Sequence, residues 1–305
     1  MGLRKSTVTG QPASAAICDE AAPTFSEWRR FRRVFFGRKV VIFGTLVILL
    51  FVVFALFAPL IAPYESNEQN LRAVTERPSG DHLLGTDQLG RDTLTRIIYG
   101  SRISLLIGVG AVALGSIVGM LLGLIAGFFG GWLNQIIMRI MDALMAFPMI
   151  LLALLVAGVL GSGILNVIIA LAVGLIPGSA RLVCGQVLSV KENDYILLSR
   201  STGTKSWRIM LSHVIPNCMP PLIVFITMTL GGVVLGEAAL SYLGIGITPP
   251  TATWGAMVND GQDYLLTNPE LAFAPGLALM LLVFAFNMVG DGLRDALDPR
   301  LRGVL

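Results

Sequence analysis

Chemistry needs reactive groups brought together, and this sequence holds few. Its two histidines are His82 and His213, and its three cysteines are Cys18, Cys184 and Cys218. The distribution of Lys and Arg predicts that the histidines lie on opposite sides of a membrane, so together they build neither a metal site nor a catalytic triad. The cysteines show no metal-ligand spacing and no disulfide framework, and Cys184 and Cys218 read as small core residues. Gly203-Thr-Lys-Ser206 has the flavour of a phosphate loop, but no glycine stands five residues before Gly203 and no buried strand precedes it. The chain is therefore expected to be no enzyme and to bind no cofactor or metal; any ATP used is hydrolysed by partner subunits. Glu237 remains, a carboxylate deep in an apolar run. Such a group marks a pathway or gate position by default, and a hydrogen-bonded strut is the competing, favoured reading.

The elements that hold these residues are membrane spans. The 305 residues are 54% hydrophobic and 13% charged, against roughly 25% charged in a soluble domain. Mean hydropathy is +0.76. Six segments are each long enough to cross roughly 30 Å of hydrocarbon, which takes about 20 residues. They are 40–62, 103–129, 141–161, 164–183, 217–242 and 271–291. Residues 1–27 lack periodicity and read as a disordered tail with no cleavable leader. The cations and aromatics of 28–39 suit a membrane interface, not nucleic acid. With the N-terminus inside, 17 of the 22 Lys and Arg fall on cytoplasmic pieces, and the other five lie between residues 63 and 102 outside. That imbalance predicts an all-α polytopic protein with both termini cytoplasmic.

Span two carries Gly115, Gly119, Gly123 and Gly127, one glycine every four residues on a single face. Such a stripe lets another helix approach closely. Pro148 and Pro177 fall inside spans three and four, where each is expected to kink its helix.

The most polar, most helix-patterned interval of the second half runs from Asp194 to Pro216, inside the cytoplasmic loop 184–216. It reads as two short helices joined at Gly203, which suits a left-handed closing residue. Asp194 is expected to cap the first helix. The second is expected to put Trp207, Met210, Leu211 and Val214 on one face, with Pro216 stopping it. An amphipathic pair like this either lies on the bilayer or docks a partner protein.

Three stretches together resemble the second (C-type) permease subunit of bacterial ABC importers for dipeptides, oligopeptides and nickel. The first is His82-Leu-Leu-Gly-Thr-Asp-Gln-Leu-Gly-Arg-Asp92, continuing through Arg96, Gly100, Arg102 and Ser104. The second is the loop with Gly203 and His213-Val-Ile-Pro-Asn217. The third is Glu237-Ala-Ala-Leu-Ser-Tyr-Leu-Gly-Ile-Gly246, with Pro249-Pro250 and Trp254-Gly255. The likeness runs from about residue 28 to the C-terminus. It implies a type I ABC-importer permease fold: residues 28–102 as entry segment, first span and external loop, 103–293 as transmembrane core, and 294–305 as a cytoplasmic tail.

The resemblance also makes the loop the ATPase-docking Glu-Ala-Ala loop. Leu197, Leu198 and Ser199 stand at the motif positions, so the acidic residue is missing. With Asp194 as the cap, Leu197 would occupy the third helical position and forfeit a capping box. Docking is then expected to rest on Trp207, Met210 and Leu211 more than on an ion pair. The implied partners are a second permease subunit, two ATPases, an external solute-binding protein and the bilayer. The cargo is expected to be a peptide, with nickel or another small solute as alternatives. A rigid aromatic patch of Trp254 and the paired prolines is expected to face the binding protein. A secondary transporter is disfavoured by the lack of buried ion-coupling residues and inverted repeats. A scaffold without transport is the other runner-up.

Overall fold

The computed structural model describes residues 27–297. The expected N-terminal tail, Glu27 apart, Cys18 and residues 298–305 of the expected C-terminal tail lie outside the described residues. Eleven α-helices occur among those described: α1 (Glu27–Phe36), α2 (Lys39–Ile61), α3 (Thr93–Phe129), α4 (Gly131–Met145), α5 (Met149–Leu160), α6 (Ile164–Lys191), α7 (Asp194–Ser201), α8 (Ser206–Ile209), α9 (Ile215–Tyr242), α10 (Trp254–Gln262) and α11 (Glu270–Leu297). A π-helical turn, Met210–Val214, joins α8 to α9. In hydrocarbon every backbone N–H and C=O must be satisfied within the segment, and helices do this.

Five helical stretches are long and apolar enough to cross a membrane, and α4 with α5 makes a sixth crossing if taken as one broken span. That pair is bent by 93°, which corrects the expectation of one kinked helix over 141–161. Pro148 has no N–H to give and disfavours helical geometry at Phe147, so the chain turns at 146–148. Pro148 itself is extended, with φ −54° and ψ 133°. Pro177, by contrast, stays inside α6. Span two also begins earlier than expected, because the Asp92 carboxylate accepts from Thr95 N at 2.8 Å and caps α3 at residue 93.

The seam between α3 and α6 follows the glycine stripe. A Cβ on Gly115 would sit 2.8 Å from Leu175 Cβ, and one on Gly127 would sit 2.8 Å from Val187 Cβ. A Cβ on Gly119 or Gly123 would overlap Ser179 Oγ or the Ala180 carbonyl. Ser179 Oγ uses the closeness to donate to Gly115 O at 3.1 Å. These pairings run in the same sense along both helices, so α3 and α6 are parallel and α4–α5 carries the chain back between them.

The other contacts fix the remaining directions. Ser104 meets Glu237 while Leu124 packs with Leu222, so α9 runs against α3. Gly231 meets Val283 and Gly290 meets Met228, which reverses α11 again, and Gly292 against Val41 reverses α2. Arg38 closes this end with an ion pair to Asp295 at 2.5 Å. Both ends of the described chain therefore lie at the end of the bundle that carries α7 and α8.

Candidate functional site

At that end, α6 finishes at Lys191 and the chain turns through Asn193 into α7. Asn193, not Asp194, is the capping residue, with extended backbone and no side-chain cap bond. Its carbonyl already accepts from Ile196 N at 3.0 Å, which starts the helix one residue earlier than expected. Asp194 is the first helical residue, where its charge still suits the N-terminal dipole. The same shift puts buried Ile196 at the third position, so Leu197 is not where a capping-box acid would stand. Gly203, at φ +76°, closes α7: Gly203 N reaches Arg200 O and Thr204 N reaches Ser199 O, at 3.0 and 3.1 Å.

The loop after Gly203 differs from expectation in two ways. Pro216 does not stop the helix. The π-turn displaces the i→i+4 bonding (Ile215 N reaches Met210 O), and Pro216 falls in the first turn of α9, where a missing N–H is tolerated. The wider turn also divides the expected face. Val214 and Ile209 are buried, Met210 is half-buried, and Trp207 and Leu211 are each 57% exposed. Leu197 and Leu198 on α7 are 50% and 66% exposed. Inward, Ile196 is fully buried and Arg200 lies over the Phe128 ring at 5.2 Å. Tyr195 accepts from Asn217 Nδ2 at 3.4 Å, and its ring meets that of His213 edge-on. An apolar rim is thus held outward by anchors to α3 and α9.

The opposite end carries a folded polar cap built by residues 62–92, the segment 243–253 and α10. Asp87 accepts from Leu89 N and Arg91 N, each at 2.9 Å, and from Arg91 Nε at 2.6 Å, with Arg96 Nε 3.6 Å away. His82 Nδ1 pairs with Asp92 Oδ1 at 3.0 Å. Arg96 reaches the Ser66 and Pro250 carbonyls, tying both connecting segments to α3. Gly90, at φ +69°, is required because a Cβ would overlap Asn70 O. The Gly-Thr-Asp…Gly-Arg-Asp stretch thus has a local purpose that family likeness alone did not show: its acids and glycines form the turn that starts α3.

Trp254 does not face a partner, which corrects the expected external patch. It is fully buried, donates from Nε1 to Ile97 O at 3.0 Å, and packs on Phe51 over the bare Cα of Gly100. Pro249 and Pro250 are exposed. Glu237 is also wholly buried and accepts from Ser241 Oγ at 2.9 Å and Ser104 Oγ at 3.2 Å. That geometry makes Glu237 a strut between α9 and α3.

Beside the cap lies a small cavity lined by Asp87, Gln88, Thr93, Met257, Asp260, Gly261, Tyr264 and Leu271. Burial raises the pKa of Asp260; Arg91 and Arg96 oppose the shift and Asp87 and Asp263 add to it. Among the described residues no group of three or more His, Cys, Asp or Glu side chains is placed to hold a metal ion.

A bundle of apolar helices, with an outward amphipathic loop at one end and a folded cap at the other, defines a multi-pass membrane protein. The chain belongs to the binding-protein-dependent transport system inner membrane component family, whose model matches residues 119–303. Residues 26–78 match the N-terminal TM domain of oligopeptide transport permease C. The chain is 46% identical over 282 residues to the glutathione transport system permease protein GsiD of Escherichia coli O6:K15:H31, covering 92% of each. The GsiD protein of Shigella sonnei matches to the same extent. That of Pectobacterium atrosepticum is 44% identical over 276 residues, 90% of this chain and 92% of the relative. The chain is thus a permease subunit of a bacterial ABC importer in the inner membrane, a transport component that works with ATPase and binding-protein partners.

Proposed function

We propose that this subunit forms one half of a heterodimeric pathway importing glutathione or short peptides, with two ATPases on its loop side and a solute-binding protein on its cap side. The observation that carries the cargo class is the 46% identity, over 92% of both chains, to a glutathione permease. The distribution of Lys and Arg along the sequence supports a cytoplasmic position for both termini and the α7–α8 loop. ATP hydrolysis then belongs to the partner subunits. Closure of the ATPases moves α7 and α8, and the loop's anchors to α3 and α9 pass that movement to the spans, shifting the population between discrete packings. The rim of Leu197, Leu198, Trp207 and Leu211 supports docking by apolar contact without an acidic residue at 197.

Uptake of labelled glutathione and labelled di- to pentapeptides, measured in the native host with and without this chain, tests the cargo. Loss of uptake on deletion and its return on complementation are expected. Unchanged glutathione and peptide uptake alongside lost nickel uptake would overturn the assignment.

A further inference from the structure

The cavity at the cap has a chemical bias that helix packing does not use. Thr93 lines it, is 1% exposed, and its hydroxyl has no hydrogen-bond partner. Among the described residues, the side chains of Gln88, Asp260 and Tyr264, which line it too, also lack hydrogen-bond partners. Gln88 is exposed and Asp260 and Tyr264 are half-buried, so solvent reaches them; the buried Thr93 hydroxyl is the group that being unpaired penalises and that calls for an occupant. The formal charges nearby are Asp87, Asp260 and Asp263 against Arg91 and Arg96, one negative charge in excess. Asp87 is already engaged by Arg91 at 2.6 Å, which leaves Asp260, within the field of Arg91 and Arg96, as the lining carboxylate without an ion pair. The space between the groups is about 20 Å³, room for a water-sized head. Next along the chain to the lining residues Gln88 and Tyr264 are Leu89, Leu265 and Leu266, exposed by 36%, 45% and 101%. Apolar groups left open beside a polar cavity fit a protein partner better than solvent.

We propose that this cavity receives one primary ammonium group, a lysine side chain of the external binding protein, seated on Asp260, Thr93 and Gln88. The inference rests on the transport reading above. An ammonium carries three donors and no acceptor, which matches a carboxylate, a hydroxyl oxygen and an amide oxygen. Arginine, with a planar fork of five donors, matches three acceptor groups less well.

The test uses the assembled importer in nanodiscs, with ATPase activity stimulated by the system's own binding protein. Asp260→Asn should raise the binding-protein concentration for half-maximal stimulation by about thirtyfold or more, the size expected when one partner of a desolvated charge pair is removed. Guanidination of the binding protein's lysines keeps their charge but enlarges the head. It should cost the wild-type importer a similar factor and cost Asp260→Asn nothing further, because the two changes act on one contact. Asp260→Asn stimulated at the native concentration, or guanidination acting equally on both importers, would overturn the cavity assignment. Native binding protein that fails to stimulate the wild-type importer at all would instead refute the transport reading.

Discussion

Glycine-to-alanine changes at two positions should move stability in opposite directions. On Gly123 a methyl group would overlap the Ala180 carbonyl and lie 3.0 Å from both Cys184 N and Val183 Cβ. Two of those three atoms are backbone, so no rotamer relieves the clash and α3 must draw away from α6. Gly232, inside α9, has nothing within 4 Å of its Cβ position. Both substitutions gain the same helix-propensity term, about 1 kcal/mol. The difference between them isolates overpacking, about 1–3 kcal/mol. Opening the seam also threatens the Ser179–Gly115 hydrogen bond, worth about 0.6 kcal/mol inside a membrane. Heating the two purified variants side by side, and measuring the monodisperse fraction by size exclusion, gives the order. Gly232→Ala should match or exceed the wild type, and Gly123→Ala should melt clearly below it. Equal melting of the two would refute the seam as a close helix approach.

Trp254→Ala should destabilise by about 3–5 kcal/mol as a core truncation. Trp254→Phe should cost less, mainly the bond to Ile97 O at about 0.5–1.5 kcal/mol; melting temperatures of the two check both. Trp207→Ala should leave melting within about 0.5 kcal/mol of wild type, as expected at an exposed site, while ATPase co-purification falls by about tenfold or more. Raising the pKa of Asp260 favours the neutral carboxyl in the folded state, so folding is penalised as pH rises through the carboxylate range. Asp260→Asn should therefore melt like wild type near about pH 4 and gain on it toward about pH 7, in thermal scans across that range.

Much of this architecture is legible in the order of residues. Hydropathy finds the spans because an apolar run of bilayer length has few other uses, and the glycine spacing marks the α3 seam before any partner helix is known. Other features depend on what the chain meets in space. The apolar pattern continues smoothly across Phe147-Pro148, so hydropathy shows no sign of a 93° bend. Trp254 beside paired prolines looks like an exposed patch until Gly100 is seen to leave the hole it fills, and the pairing of those two positions spans 154 residues. Pro216 reads as a stop because i→i+4 geometry is assumed; one π-turn removes the conflict. The cap of α7 moved by one residue because Asn193 and Asp194 are both able caps, and only the backbone angles choose between them. The cavity at Asp260 draws on three separate segments, which no local motif announces.

The central claim is that this chain is half of a permease held in an ATP-driven assembly. It is tested most directly by purifying the tagged protein from its native host in mild detergent and identifying its companions by mass spectrometry. The account predicts a second permease subunit together with one or two kinds of ATPase, and loss of the ATPase alone from the Trp207→Ala variant. Recovery of the chain by itself, under conditions in which other ABC importers stay assembled, would contradict it.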